Sequence, residues 1–106
     1  MMDVALASGV LEGWWMERGV FPACDFPRCS LVGVDLSEAE LLGAVFDGAN
    51  LRDANLEGAR CVKVSFRGAD LRGANLAGAD LTQADLRGAM IEGAIFEGAN
   101  TSEAVF

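Results

Sequence analysis

A five-residue repeat runs without a break from Cys24 to Phe106. Every fifth residue from Cys24 to Ala104 is small, and thirteen of these seventeen residues are Ala. Two positions further along, the residue is large and apolar, with nine Leu and five Phe among seventeen. A period of five matches neither the 3.6 residues of a helix nor the 2 of a strand, so neither element could bury both positions consistently. The chain must therefore adopt a third geometry that repeats every five residues.

A four-sided coil satisfies this period. If each repeat forms one side, the small residue and the large apolar residue point inward, and the other three face water and form the corner. Gly occupies ten of the sixteen corner positions, and Asn or Asp stands nine times between the two inward residues, which are choices typical of turns. Four sides give a coil of twenty residues. Twenty-residue spacing would stack one inward ladder, which consists of Phe26, Phe46, Phe66, Leu86 and Phe106.

The repeat resembles the pentapeptide-repeat family, whose consensus is Ala-(Asn/Asp)-Leu-x-x, over 83 of the 106 residues. The resemblance implies an all-β solenoid, a right-handed quadrilateral β-helix, with about four coils across residues 23–106. At a strand spacing of ~4.8 Å, such a rod would be about 20 Å long. Each coil of a solenoid contacts only its neighbours, so both ends need a cover.

Residues 1–22 lie before the clean repeat, and we expect them to form an N-terminal helical cap. A helix could begin near Asp3, a suitable N-cap residue, and continue to Arg18. The segment also resembles the Trp-bearing helix that precedes the repeats in some family members. A degenerate first coil is the alternative, because Leu6, Leu11, Met16 and Phe21 keep the five-residue spacing.

The C-terminal stretch is expected to leave an open end. Phe106 is at an inward position, and Met90, Ile95 and Val105 replace the outward Asn or Asp. Contiguous exposed apolar surface in a monomer usually marks an interface. We therefore expect a homodimer through Met90, Ile95, Val105 and Phe106. The alternatives are a longer protein of which this is a part, or simple tolerance of surface hydrophobes.

Charge is distributed unevenly over the predicted sides. One side carries Asp35, Glu38, Glu57 and Glu97 and has no Lys or Arg. The family includes the quinolone-resistance proteins Qnr and MfpA, so the resemblance offers DNA mimicry and binding of DNA gyrase as an alternative function. Duplex DNA carries one charge per ~1.7 Å, so a rod of this length would need roughly twelve charges where the acidic side has four. A non-enzymatic structural or protein-interaction module with an unknown protein partner is the favoured interpretation.

Composition predicts no catalytic, cofactor or metal site. The chain has no His to act as a base near neutral pH, and its three Cys are at inward positions. A net charge of −8 opposes direct binding to nucleic acid. No segment is long and apolar enough to span a bilayer, and no secretory leader is recognisable, so we expect a cytoplasmic protein that does not bind membranes.

Overall fold

The computed structural model describes residues 30–106, which wind into a four-sided coil. Single-residue parallel β-bridges join each residue at the Asn/Asp position to the residue twenty positions later, from Ser30↔Asn50 to Asp85↔Val105. Residues 30–106 contain no longer strand and no helix. The predicted coil of twenty residues is thus confirmed. The helical cap over residues 1–22 and its alternative, a degenerate first coil, lie outside the described residues.

The four sides are numbered by their bridge columns. Side 1 contains bridge residues 30, 50, 70 and 90, and side 2 contains 35, 55, 75 and 95. Side 3 contains 40, 60, 80 and 100, and side 4 contains 45, 65, 85 and 105. Residues 87–106 form the last coil.

Each corner is a turn closed by one backbone hydrogen bond. On side 1 the Val34 N–H donates to the Leu31 carbonyl at 3.0 Å, and φ is positive at Gly33, the third residue of the turn. A positive φ at the third residue alone is the signature of a type II turn and explains the abundance of Gly there. Other residue types hold the same conformation at five corners: Glu38, Asp53, Lys63, Gln83 and Glu103.

Three backbone hydrogen bonds join each side to the coil that follows. On the first described sides, the Leu31 N–H donates to the Asn50 carbonyl at 2.7 Å and the Gly33 N–H donates to the Arg52 carbonyl at 3.0 Å. The third bond runs the other way, from the Asn55 N–H to the Val34 carbonyl at 2.8 Å. Two of every three bonds are therefore donated by the earlier coil.

The core is the axis of the coil, and it is filled by the residues that the repeat predicts. Leu56 is completely buried while its neighbour Glu57 is exposed, and the same alternation holds around the inner coils. The Phe46 and Phe66 rings stack with centroids 5.4 Å apart, which confirms this part of the predicted ladder. In the last coil Phe106 instead meets Phe96 edge to face across the axis, at 6.2 Å.

Candidate interaction surfaces

Apolar side chains are concentrated on the C-terminal face, which is the surface formed by residues 88–106. The four predicted interface residues are all exposed there: Met90 by 41%, Ile95 by 46%, Val105 by 48% and Phe106 by 59%. Ile91 is 37% exposed and belongs to the same face, although the sequence analysis did not include it. Ile91 fits the inward pattern of the repeat, so the pattern gave no signal of its exposure.

The first described coil does not expose its inward residues. Its inward side chains at Leu31, Leu36, Leu41 and Phe46 are buried. The inward residues of the last coil are at least partly exposed, because none of the described residues packs beneath them. Within residues 30–106, inward side chains are therefore exposed to solvent only on the C-terminal face.

The backbone of the C-terminal face is an open edge. Among the described residues, no acceptor is present for eight N–H groups of this face whose equivalents in the preceding coil donate to the coil that follows, namely those of residues 88, 91, 93, 96, 98, 101, 103 and 106. The carbonyls of Ala89, Ala94, Ala99 and Ala104 likewise have no donor within that part of the chain. In the inner coils the equivalent groups join one coil to the next.

The apolar residues at the outward position also lose a local hydrogen bond. In the inner coils the Asn or Asp oxygen accepts the N–H two residues later, as between Asn55 and Glu57 at 3.0 Å. Met90 and Ile95 have no such oxygen, so within residues 30–106 no side chain accepts the N–H of Glu92 or Glu97. Met90 and Ile95 therefore do not stabilise their turns by a hydrogen bond. A contact outside the turn would explain why apolar residues occupy these positions.

Charges on sides 1 and 4 are paired. The Nε and Nη2 groups of Arg72 donate to the two carboxylate oxygens of Asp70, at 2.9 and 2.6 Å, and Arg87 makes the same fork with Asp85 at 2.9 and 2.7 Å. The hydrogen bonds from Arg87 lower the pKa of Asp85 to about 2, and those from Arg72 lower the pKa of Asp70. The pairing leaves these two sides closer to neutral than side 2, which has four carboxylates and no Lys or Arg.

The four predicted acidic residues lie on side 2, but they do not converge. Asp35 accepts hydrogen bonds from the N–H and hydroxyl of Ser37 at 3.0 and 2.6 Å, so its carboxylate caps a turn. Glu57 accepts from the Asn75 amide at 3.3 Å, and Glu97 lies in the last coil. Side 2 therefore carries four carboxylates without a Lys or Arg.

Cys61 carries the only completely buried titratable group in the described part of the chain. Cys61 is completely buried, and burial followed by the nearby charge of Asp80 raises its pKa to about 12. A thiol in this state is a poor nucleophile. Residues 30–106 contain no cluster of three His, Cys, Asp or Glu that could hold a metal ion. Cys24 and Cys29 lie outside the described residues.

Comparison with known families decides the classification. The model of the family described as pentapeptide repeats matches eight copies, across residues 29–60 and 65–100. The chain belongs to the pentapeptide repeat family. Membership in the family implies a right-handed quadrilateral β-helix, in agreement with the twenty-residue coil. No curated protein sequence matches significantly.

Solved pentapeptide repeat proteins have similar structures. One from the Arabidopsis thaliana thylakoid lumen is 30% identical with a TM-score of 0.72, and the alignment covers 97% of this chain and 65% of that one. A second, from Nostoc, is 32% identical with a TM-score of 0.72 and coverages of 81% and 83%. HetL from Nostoc, described as involved in heterocyst differentiation regulation, shares the fold at 24% identity and a TM-score of 0.62, with coverages of 98% and 54%. The chain thus spans less than two thirds of the Arabidopsis protein and of HetL.

Within residues 30–106 of this pentapeptide repeat protein there is no helix with the length and hydropathy needed to cross a membrane.

Proposed function

We propose that this pentapeptide repeat protein is a non-enzymatic protein-interaction module and that the C-terminal face is its partner-binding surface. The observation that carries the proposal is the replacement of the polar outward residue by Met90, Ile95 and Val105, all of which are exposed on one face. Fully burying a large apolar side chain contributes about 1.5–3 kcal/mol, so a partner that covers Phe106 and Ile95 gains substantial binding free energy.

Two observations support the non-enzymatic part of the proposal. The whole chain has no His, and the one described Cys is buried with a raised pKa. The recurring Asp and Asn side chains are used to cap turns, as Asp70 and Asn75 show at 3.1 and 3.0 Å. Turn capping explains why Asp and Asn are so frequent, and no catalytic role is needed to explain it.

A second copy of the chain is the partner expected from the sequence, through Met90, Ile95, Val105 and Phe106. The test compares the oligomeric state of the wild type with that of a Met90→Asn, Ile95→Asn, Val105→Asn variant. Asn is the family residue at all three positions and can cap the turn at positions 90 and 95, so the variant should fold at least as stably as the wild type. Leu42→Asn is the matched control, since Leu42 is 49% exposed but lies on side 3, away from the face.

Multi-angle light scattering should show association of the wild type and of Leu42→Asn, and a monomer for the triple variant. If the wild type is a monomer at high concentration, the homodimer is wrong. The wider proposal then depends on a partner isolated from cells that binds the wild type and Leu42→Asn but not the triple variant. A partner that binds all three proteins equally would place the binding surface elsewhere.

DNA mimicry is disfavoured by the charge pattern. Side 2 offers four carboxylates where roughly twelve charges would be needed, and one of the four caps its own turn. We therefore expect no inhibition of supercoiling by purified DNA gyrase and no protection from a quinolone at micromolar protein. Inhibition that is lost in a Glu57→Gln, Glu97→Gln variant would instead favour the mimic.

A further inference from the structure

Four of the six basic residues within residues 30–106 lie together on two consecutive sides of the coil. Arg67 and Arg87 occupy the same position in successive turns of side 4, and Arg52 and Arg72 do so on side 1. Successive coils are ~4.8 Å apart, so the members of each pair lie one above the other. All four residues are exposed, and we call the surface that they form the arginine edge.

Each pair of arginines surrounds one recessed carboxylate. On side 4, Arg87 holds Asp85 in a fork, and Arg67 Nε lies 3.8 Å from Asp85 Oδ2. On side 1, hydrogen bonds from Arg72 are the main cause of the lowered pKa of Asp70, and the charge of the second arginine of the pair contributes to it. The Arg67 and Arg87 side chains are 59% and 58% exposed, against 24% for Asp85. Guanidinium groups therefore dominate the surface that a partner would meet.

Part of the hydrogen-bonding capacity of the arginine edge is unused within residues 30–106. Arg72 and Arg87 each use Nε and Nη2 for the fork, and Nη1 donates to no atom in this part of the chain. Among these residues, Arg52 donates only its backbone N–H, to Asn50 at 3.2 Å. The fork fixes the plane of each guanidinium, so the Nη1–Nη2 edge is already oriented to bind a second carboxylate.

Three further carboxylates border the arginine edge and limit the shape of a partner. Asp47 accepts the Ser65 hydroxyl, and Asp53 lies over Gly73. Glu92 lies in the last coil, beneath the arginines of side 1. These carboxylates would repel a broad acidic surface, whereas a narrow acidic segment could reach the guanidiniums alone. The net charge of −8 likewise opposes a nucleic acid with its many phosphates.

We propose that the arginine edge binds a short acidic segment of another protein. The Asp or Glu carboxylates of the segment accept hydrogen bonds from the Nη1–Nη2 edges of Arg72 and Arg87, and Arg52 and Arg67 add positive charge beside them. None of the four arginines belongs to the C-terminal face, so this is a second surface and goes beyond the proposed function. Exposed ion pairs are individually weak and are screened by salt, so binding requires several of them and weakens as the ionic strength rises.

Titration of the full chain with hexaglutamate tests the proposal, at ~0.01 M ionic strength, where the Debye length is ~30 Å. The test variant is Arg52→Gln, Arg67→Gln, because neither guanidinium donates a hydrogen bond within residues 30–106 and the fold should be unchanged. Arg60→Gln, Lys63→Gln is the matched control, since it removes the same charge from side 3. We expect similar affinity for the wild type and the control, and about tenfold weaker binding by the test variant, which is equivalent to two exposed ion pairs.

Nuclear magnetic resonance of the wild type locates the bound peptide. The side-chain N–H signals of the four arginines of the edge should shift during the titration, and that of Arg60 should not. No binding at millimolar hexaglutamate, equal weakening in both variants, or equal binding of hexaglutamine overturns the proposal. The Met90→Asn, Ile95→Asn, Val105→Asn variant should bind hexaglutamate as the wild type does. Loss of binding in that variant would assign the peptide to the C-terminal face and overturn the arginine edge, so the two surfaces are tested separately.

Discussion

The carboxylate of Asp53 lies over Gly73 of the next coil, where a Cβ atom at Gly73 would collide with Asp53 Oδ1. Both residues are at corner positions with positive φ, of +58° and +73°. Gly73 is therefore required for two reasons, its backbone conformation and the space that Asp53 fills. Gly68, with φ of +66°, has nothing within 4 Å of the same position.

Ala substitutions at Gly68 and Gly73 separate the free-energy cost of backbone strain from that of a steric collision. We expect Gly68→Ala to lower the free energy of unfolding by about 1 kcal/mol, because Ala disfavours a positive φ. Gly73→Ala should cost up to about 1 kcal/mol more, since the Asp53 side chain must leave its rotamer. Urea denaturation of both variants checks this. In an Asp53→Gly background the two substitutions should cost the same, and a persistent difference would show that Asp53 is not its cause.

The inward and outward positions of one repeat should respond very differently to truncation. Leu56→Ala should cost about 2–5 kcal/mol, because Leu56 is completely buried and the close-packed axis cannot collapse around the cavity. Glu57→Ala should change stability by no more than about 0.5 kcal/mol, since Glu57 is exposed. Thermal or chemical denaturation measures both. Comparable losses would contradict the register of the coil.

The period of five was sufficient to place Leu56 inside and Glu57 outside because burial in a solenoid depends on position within the repeat. Contacts between coils depend on side-chain reach, which the period does not specify. At Ser65, which replaces Asn or Asp, the carboxylate of Asp47 from the preceding coil accepts the Ser65 hydroxyl and also the Arg67 N–H, at 3.3 Å. The placement of Asp53 over Gly73 was unpredictable for the same reason.

The candidate interface was predicted in part. Met90, Ile95 and Val105 could be recognised because each breaks the polar pattern of the outward position. Ile91 could not be recognised that way, since it fits the inward pattern, and its exposure depends on what packs beneath the last coil. The direction of the hydrogen bonds between coils was also beyond the sequence analysis, because it is a property of the backbone alone.

The thiol of Cys61 should be nearly unreactive in the folded protein. Burial and the charge of Asp80 raise its pKa from 9.0 to about 12, which lowers the thiolate fraction about a thousandfold near neutral pH. In a Cys24→Ser, Cys29→Ser background, a disulfide reagent such as DTNB should label Cys61 rapidly in denaturant and very slowly without it. Fast labelling of the folded chain would mean that the side containing Cys61 opens readily or is not buried.

The fork between Asp85 and Arg87 should make stability depend on pH in the acid range. The folded pKa of Asp85, about 2, lies below the value of about 3.9 for an unfolded chain, so the ionised carboxylate stabilises the fold above about pH 4. This stabilisation is lost as the pH falls through about 2. Asp85→Asn keeps the oxygen that accepts the Arg87 N–H at 3.1 Å but cannot titrate. Its melting temperature should therefore fall less steeply than that of the wild type over this interval, and Arg87→Gln should flatten the profile in the same way. Parallel profiles for all three proteins would show that the fork does not persist in solution.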